Sequence, residues 1–153
     1  MEGAIAANHQ VEKVVLAEKK INYCTACSVC QKTGRCAQKD DMAPILDSMT
    51  AADVIVLASP VYFYTMCAQM KTVIDRSYAR YTGIANKEFY IIVTAADSNK
   101  AALERTIEGF RGFTSCLRGA KEKGIVYGAG AWEIGAIQGS RAMKQAYEMG
   151  KAL

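Results

Sequence analysis

Four of the six cysteines crowd into one short stretch, Cys24, Cys27, Cys30 and Cys36, with the spacing C-x2-C-x2-C-x5-C. Thiols this close cannot all pair as disulfides without strain, but they can converge on one inorganic centre if the loop curls around it. Four thiolates are the ligand set of a [4Fe–4S] cluster, and Gly34 lets the chain turn back tightly just before Cys36. A tetrahedral zinc site uses the same donors, though its two C-x2-C pairs are usually further apart. Reduced thiols holding no metal are the third reading. The spacing favours iron–sulfur and leaves the other two open. Cys67 and Cys116 fall on helical patterns and read as buried packing residues.

A second set of residues suits a flat aromatic ligand. Ser59-Pro60-Val61-Tyr62-Phe63-Tyr64 follows directly on the most apolar run of the chain. Pro60 stiffens the turn, and the three aromatics can stack on a ring or wall it off. Capping the end of a sheet is the plainer use for them. Two more segments leave comparable runs: Thr94-Ala95-Ala96-Asp97, and Tyr127 to Trp132, which includes Gly128 and Gly130. Their small residues permit close backbone approach, and Trp132 is the only tryptophan.

The elements that must position these groups alternate between strand and helix. Strands are expected at Val11–Leu16, Asp53–Ser59, Phe89–Thr94 and Gly124–Gly128. The central two are continuously apolar, as in parallel strands covered by helices on both faces. Asp41 is expected to cap a helix carrying Ile45, Leu46 and Met49, with Pro44 in its first turn. Met66, Met70, Val73, Ile74 and Ser77 follow helical spacing, with Lys71, Asp75 and Arg76 falling between them. Asp97 or Ser98 should open a helix with Leu103, Ile107, Phe110 and Leu117 inward, and Ser140 a last helix with Met143, Ala146 and Met149 inward. The pattern is an α/β fold with a doubly wound parallel sheet in three layers, α/β/α. One domain, Met1–Leu153, is expected, since 153 residues can bury roughly 70% of the unfolded surface.

Several functions lose support. The net charge of +4 is spread along the chain with no basic stripe interleaved with aromatics, which speaks against nucleic acid. No apolar run approaches the roughly 20 residues that cross a bilayer, and the opening residues lack a secretory pattern. A cytoplasmic location is expected, where crowded cysteines point to metal or redox chemistry. His9 is the sole histidine and reads as a surface residue, so no conventional acid–base machinery is visible.

Taken together, the cysteine stretch with Gly34-Arg35-Cys36, Asp40-Asp41-Met42, Ala52 through Phe63, and Met70-Lys71-x3-Asp75-Arg76 resemble the NADPH-dependent FMN reductase family, and within it the iron–sulfur flavoproteins. The likeness runs from about Gly3 onward. It implies a flavodoxin-like fold, a homodimer or homotetramer, and FMN held near subunit interfaces. The implied activity is transfer of electrons from NAD(P)H or a ferredoxin-type donor to a small-molecule acceptor such as a quinone, a flavin or an oxygen species. By position, Ser59, Pro60, Val61, Tyr62 and Phe63 would line the isoalloxazine ring. Thr94, Ala95 and Ala96 would form a second wall, and Cys24, Cys27, Cys30 and Cys36 would ligate the cluster of the iron–sulfur members.

The chain departs from that pattern at its start. Family members open with an apolar strand and a loop like Gly-Ser-x-Arg-x-x-Gly-Asn-Thr that wraps the FMN phosphate at a helix N-terminus. Residues Met1 to His9 resemble the end of the helix that follows it. With the first strand missing from the order 2-1-3-4-5, Val11–Leu16 is expected to pair directly with Asp53–Ser59, or another chain to fill the gap. Either outcome predicts weak FMN binding, which micromolar or tighter affinity in a flavin titration would contradict. Without flavin, the same residues read as an iron–sulfur carrier or sensor, or as an inactive shortened chain.

Overall fold

The computed structural model describes Met1–Leu153. Apolar, β-branched runs form three parallel strands, β1 (Val54–Tyr62), β3 (Glu88–Ala95) and β4 (Lys121–Ala129), because branched side chains pack well on a pleated surface. A two-residue strand, β2 (Thr65–Met66), folds back antiparallel on the end of β1, giving the order β2-β1-β3-β4. The helices are α1 (Glu2–Ala6), α2 (Val29–Thr33), α3 (Met42–Ala51), α4 (Ala68–Arg76), α5 (Glu104–Ser115) and α6 (Arg141–Lys151). None is long and apolar enough to cross a membrane.

Alternation along the strands sorts side chains onto two faces. Ile55 and Leu57 of β1 sit beside Phe89 and Ile91 of β3, and Val93 extends this row. They join Ile45 and Leu46 of α3, Val73 of α4, and Ile107 and Phe110 of α5 in a cluster of 19 buried residues. The buried stripe expected on α5 is present, with Leu103, Ile107 and Phe110 fully covered. On the opposite face α6 covers β4, and Gly124 lies against the Tyr90 ring and the Met149 sulfur. Helix α1 rests on α6, where a Cβ at Gly3 would collide with the Tyr147 carbonyl oxygen. Helices therefore flank the sheet on both sides, in a flavodoxin-like arrangement. The second layer stops short of β1, whose Val56 is 46% exposed and whose Ala58 is exposed too.

Several expectations are corrected. Residues 11–15 form no strand, and Leu16–Glu18 is a single 3-10 turn. Val14 and Leu16 instead pack half-buried on the core cluster, so the apolar run is satisfied by burial without a ladder. It does not pair with β1, whose outer edge from Val54 to Pro60 has no neighbouring strand; β2 reaches only Val61 and Tyr62. Asp41 precedes α3 but does not cap it with its side chain, which accepts from Lys20 N–H instead. Asn99, rather than Asp97 or Ser98, caps the Lys100–Ala102 turn that leads into α5. Ser140 caps α6 as expected, accepting from Met143 N–H, but Met143 itself is exposed. Cys116 is exposed at the end of α5, and Cys67 is half-buried at the start of α4 rather than within it.

Candidate functional site

Parallel pairing brings the C-terminal ends of β1, β3 and β4 to one rim, where open α/β sheets take their ligands. The segments after β3 and β4 are tied together there: Gly130 N–H donates to Asp97 O (2.9 Å) and Ala131 N–H to Ala95 O (2.8 Å). On the uncovered face just below the rim lies a cleft of about 200 Å³ lined by Ala58, Ser59, Pro60, Ile92 and Thr94. Three of the anticipated residues, Ser59, Pro60 and Thr94, thus line one cleft. Val61, Tyr62 and Phe63 run on into the hairpin, while Ala95 is buried and Ala96 exposed outside the cleft. Ala58 and Ile92 are cleft residues that sequence reasoning missed, because the alternation that exposes them depends on which face α6 leaves bare.

The Ser59 hydroxyl is already engaged. It donates to Pro60 O (2.7 Å) and accepts from Cys67 N–H (2.9 Å), joining the end of β1 to the start of α4. What the cleft offers a ligand is therefore an apolar floor, the stiff Pro60 backbone and the Thr94 side chain. Beyond it the chain reverses in a two-residue turn, Phe63-Tyr64, between the paired Tyr62 and Thr65. Both turn residues have left-handed backbones (φ 48° and 64°), a conformation two-residue hairpins reserve for Asn and Gly. Bulky residues held there cost of order 1–3 kcal/mol each, and such strain clusters at ligand clamps. Phe63 is 99% exposed, and the Arg105 guanidinium lies 5.5 Å from the centre of the Tyr64 ring. Trp132 is likewise exposed on the segment after β4.

The four clustered cysteines lie on the loop that leads through α2 towards α3. Cys24 and Cys27 are exposed, Cys30 and Cys36 half-buried. Ala26 and Ser28, either side of Cys27, have left-handed backbones, and the Val29 N–H holds the Cys27 thiol below the ordinary cysteine value. The donor chemistry suits a cluster, but no three Cys, His, Asp or Glu side chains converge to hold a metal. The loop as folded does not fit a [4Fe–4S] or a zinc centre.

Arg76, placed by helical spacing among polar positions, is 2% exposed. Its Nη1 donates to Asn22 O (2.6 Å) and Asp40 Oδ2 (2.7 Å), and Nη2 donates to Asp40 Oδ1 (2.9 Å). The two-pronged pair holds the Asp40 carboxyl below the usual carboxylate range. Asp40, and after it Cys36, favours the charged guanidinium against the cost of burial. The remaining donor, Nε, is buried without a partner.

Comparison with known proteins resolves the family. The family model for NADPH-dependent FMN reductases matches residues 1–116, most of the chain. This chain belongs to the NADPH-dependent FMN reductase family. Among curated relatives of this FMN reductase family member, an iron-sulfur flavoprotein of Archaeoglobus fulgidus is 51% identical over 67 residues, 44% of this chain and 30% of that protein. An iron-sulfur flavoprotein of Methanocaldococcus jannaschii is 37% identical over 106 residues, 68% of this chain and 54% of that protein. The chain thus spans from under a third to about half the length of these relatives. Among solved structures, an azoreductase from Bacillus anthracis superposes with a TM-score of 0.70 at 16% identity, over 99% of this chain and 89% of that one. At that identity the likeness speaks for the fold, which the FMN reductase family shares with flavodoxins.

Proposed function

We propose that the cleft beside Ser59–Pro60 and Thr94 seats the isoalloxazine ring of FMN, in an oxidoreductase that draws electrons from NAD(P)H and passes them to a small-molecule acceptor. One observation carries this reading: in a member of the FMN reductase family, three of the eight ring-lining candidates read from the sequence, Ser59, Pro60 and Thr94, line one apolar cleft at the C-terminal rim of a parallel sheet. The cleft suits the ring better than the phosphate, because no lysine, arginine or histidine lines it. The chemistry that bound FMN supplies is acceptance of a hydride from reduced nicotinamide and release of electrons onward.

The chain's own residues set position. Ala58 and Ile92 form a dry floor that excludes water from one ring face. Pro60 holds the β1 backbone in one conformation, and Thr94 supplies the polar group at the edge. The strained hairpin carries Tyr62, Phe63 and Tyr64 as an aromatic flap over the other side. No electron step is routed through the cysteines, which the fold leaves apart. The same reading takes residues 1–153 as one domain, cytoplasmic, working as a homodimer or homotetramer.

Riboflavin titration, followed by quenching of flavin fluorescence, tests the site. Ala58→Phe fills the cleft from an exposed position and is expected to weaken binding at least tenfold with an unchanged circular dichroism spectrum. Equal binding by the variant would place the ring elsewhere.

A further inference from the structure

The hairpin that joins β1 to β2 is pinned at three heights. At its base the Ser59 hydroxyl accepts from Cys67 N–H (2.9 Å), closing residues 59–67 into one unit. In the middle the methyl of buried Met66 lies against α5, where a Cβ at Gly109 would come within 3.1 Å of it. At the tip the Arg105 guanidinium stands over the Tyr64 ring, 5.5 Å from its centre. Arg105 and Gly109 are one turn apart in α5 and so share one face of the helix. That face is the seat on which the hairpin rests.

The tip needs such a hold. Phe63 and Tyr64 both keep left-handed backbones, and strain of this kind persists only where the surroundings over-determine it. Phe63 is 99% exposed and supplies no restraint, which leaves the Tyr64 ring on Arg105. Strand alternation then divides the aromatics. Ile55, Leu57 and Ser59 are buried on the core side of β1, with Val61 packed there too, whereas Val56 and Ala58 are exposed on the open side. Tyr62 continues the second set, on the side of the cleft residues Ala58 and Pro60, and is itself exposed. We infer that Arg105 is a positioning residue for the cleft: by holding Tyr64 on α5 it fixes the hairpin so that Tyr62 stands beyond Pro60 as the cover of a ring seated there. A cover ordered before the ligand arrives spares binding the entropy of ordering it. The inference rests on the flavin reading of the cleft and adds to it a contact made on the opposite side of the sheet.

Riboflavin titration and amide exchange on the full chain test it. Tyr62→Ala is expected to weaken riboflavin binding about tenfold. Arg105→Ala should weaken it about threefold, the size of one exposed cation–aromatic contact, and Arg105→Lys, which keeps a cation over the ring, should recover most of that loss. In the Tyr62→Ala background Arg105→Ala should have no further effect, because the arginine acts only through that side chain. Without ligand, Arg105→Ala should speed amide exchange across residues 61–66 about threefold while Phe89 to Val93 keep their wild-type rates. An arginine that only stabilised the fold would speed exchange in β3 as well and weaken binding equally in both backgrounds, which overturns the positioning role. Unchanged exchange in the hairpin overturns it too. If Ala58→Phe weakens binding and Tyr62→Ala does not, the inference fails and the cleft stands; if Ala58→Phe does not, the cleft reading fails and takes this one with it.

Discussion

Arg76 and Asp40 show how one buried pair of side chains can tie together segments far apart in the sequence. The two are buried, joined by both prongs of the guanidinium, and tied through Asn22 O and Met42 N–H to both sides of the cysteine loop. Such a pair is weak evidence for stability while intact, but removing one partner strands a buried charge, at about 3–5 kcal/mol. The Asp40 carboxyl is held low first by the Arg76 fork and then by backbone N–H groups. Because its folded value lies below its unfolded one, the stabilisation is complete above about pH 4 and is lost as pH falls through the folded value. Asp40→Asn is therefore expected to lower unfolding free energy by about 3–5 kcal/mol at pH 7 in urea titrations, and to flatten the acid limb of stability against pH. An unchanged acid limb would show that another carboxylate sets it. The helical spacing around Met70 and Val73 could not reveal this role, since the partner lies 36 residues away in sequence.

The hairpin from β1 to β2 sets local preference against position. Its turn residues, Phe63 and Tyr64, occupy the backbone region that Asn-Gly would fill without strain. Replacing both, Phe63→Asn with Tyr64→Gly, is expected to raise stability by at least about 1 kcal/mol while weakening riboflavin binding, a trade of strain for function. Calorimetry and flavin titration on one preparation check both halves; a gain in stability with unaltered flavin affinity would leave the aromatics without a binding role. The two faces of β1 make a second contrast. Leu57, 4% exposed, packs into the core, and Leu57→Ala should cost about 2–5 kcal/mol. Val56, its neighbour, faces the uncovered side, and Val56→Lys should change monomer stability by no more than about 0.5 kcal/mol. The aromatic run and the apolar strand were legible in the sequence. The face left open was not, because strand periodicity says that faces alternate and not which of them a distant helix covers.

For the molecule as a whole, the open face and the unpaired edge of β1 are the features that matter. A long, apolar, unpaired edge is a template for association. Sedimentation of the wild-type chain is expected to show concentration-dependent self-association, which Val56→Lys should suppress; identical sedimentation of the two would exclude this face as the contact. The same open side holds the cleft proposed for the flavin ring, which offers no cationic side chain. FMN and riboflavin are therefore expected to bind this chain within about threefold of one another and more weakly than micromolar, since the stronger, charge-assisted contacts of a phosphate are not provided. A marked preference for FMN would reveal a phosphate partner outside the cleft.

Composition, periodicity and the order of short motifs were enough for the α/β class, for three of the four anticipated strands, for the buried stripe of α5 and for the family. These follow from local chemistry, because β-branched runs, helical spacing and loop residues act over a few positions and need no knowledge of distant partners. The tertiary structure decided the rest. Val11–Leu16 packs as an unpaired segment, since burying Val14 and Leu16 on the core satisfies its apolar side chains without a ladder. The four thiols share a loop but not a centre, because spacing along the chain sets how near they can come and the backbone path sets where they point. Arg76 went into the core because Asp40 and Asn22 were there to meet it, an arrangement that exists only once the loop and α4 have packed.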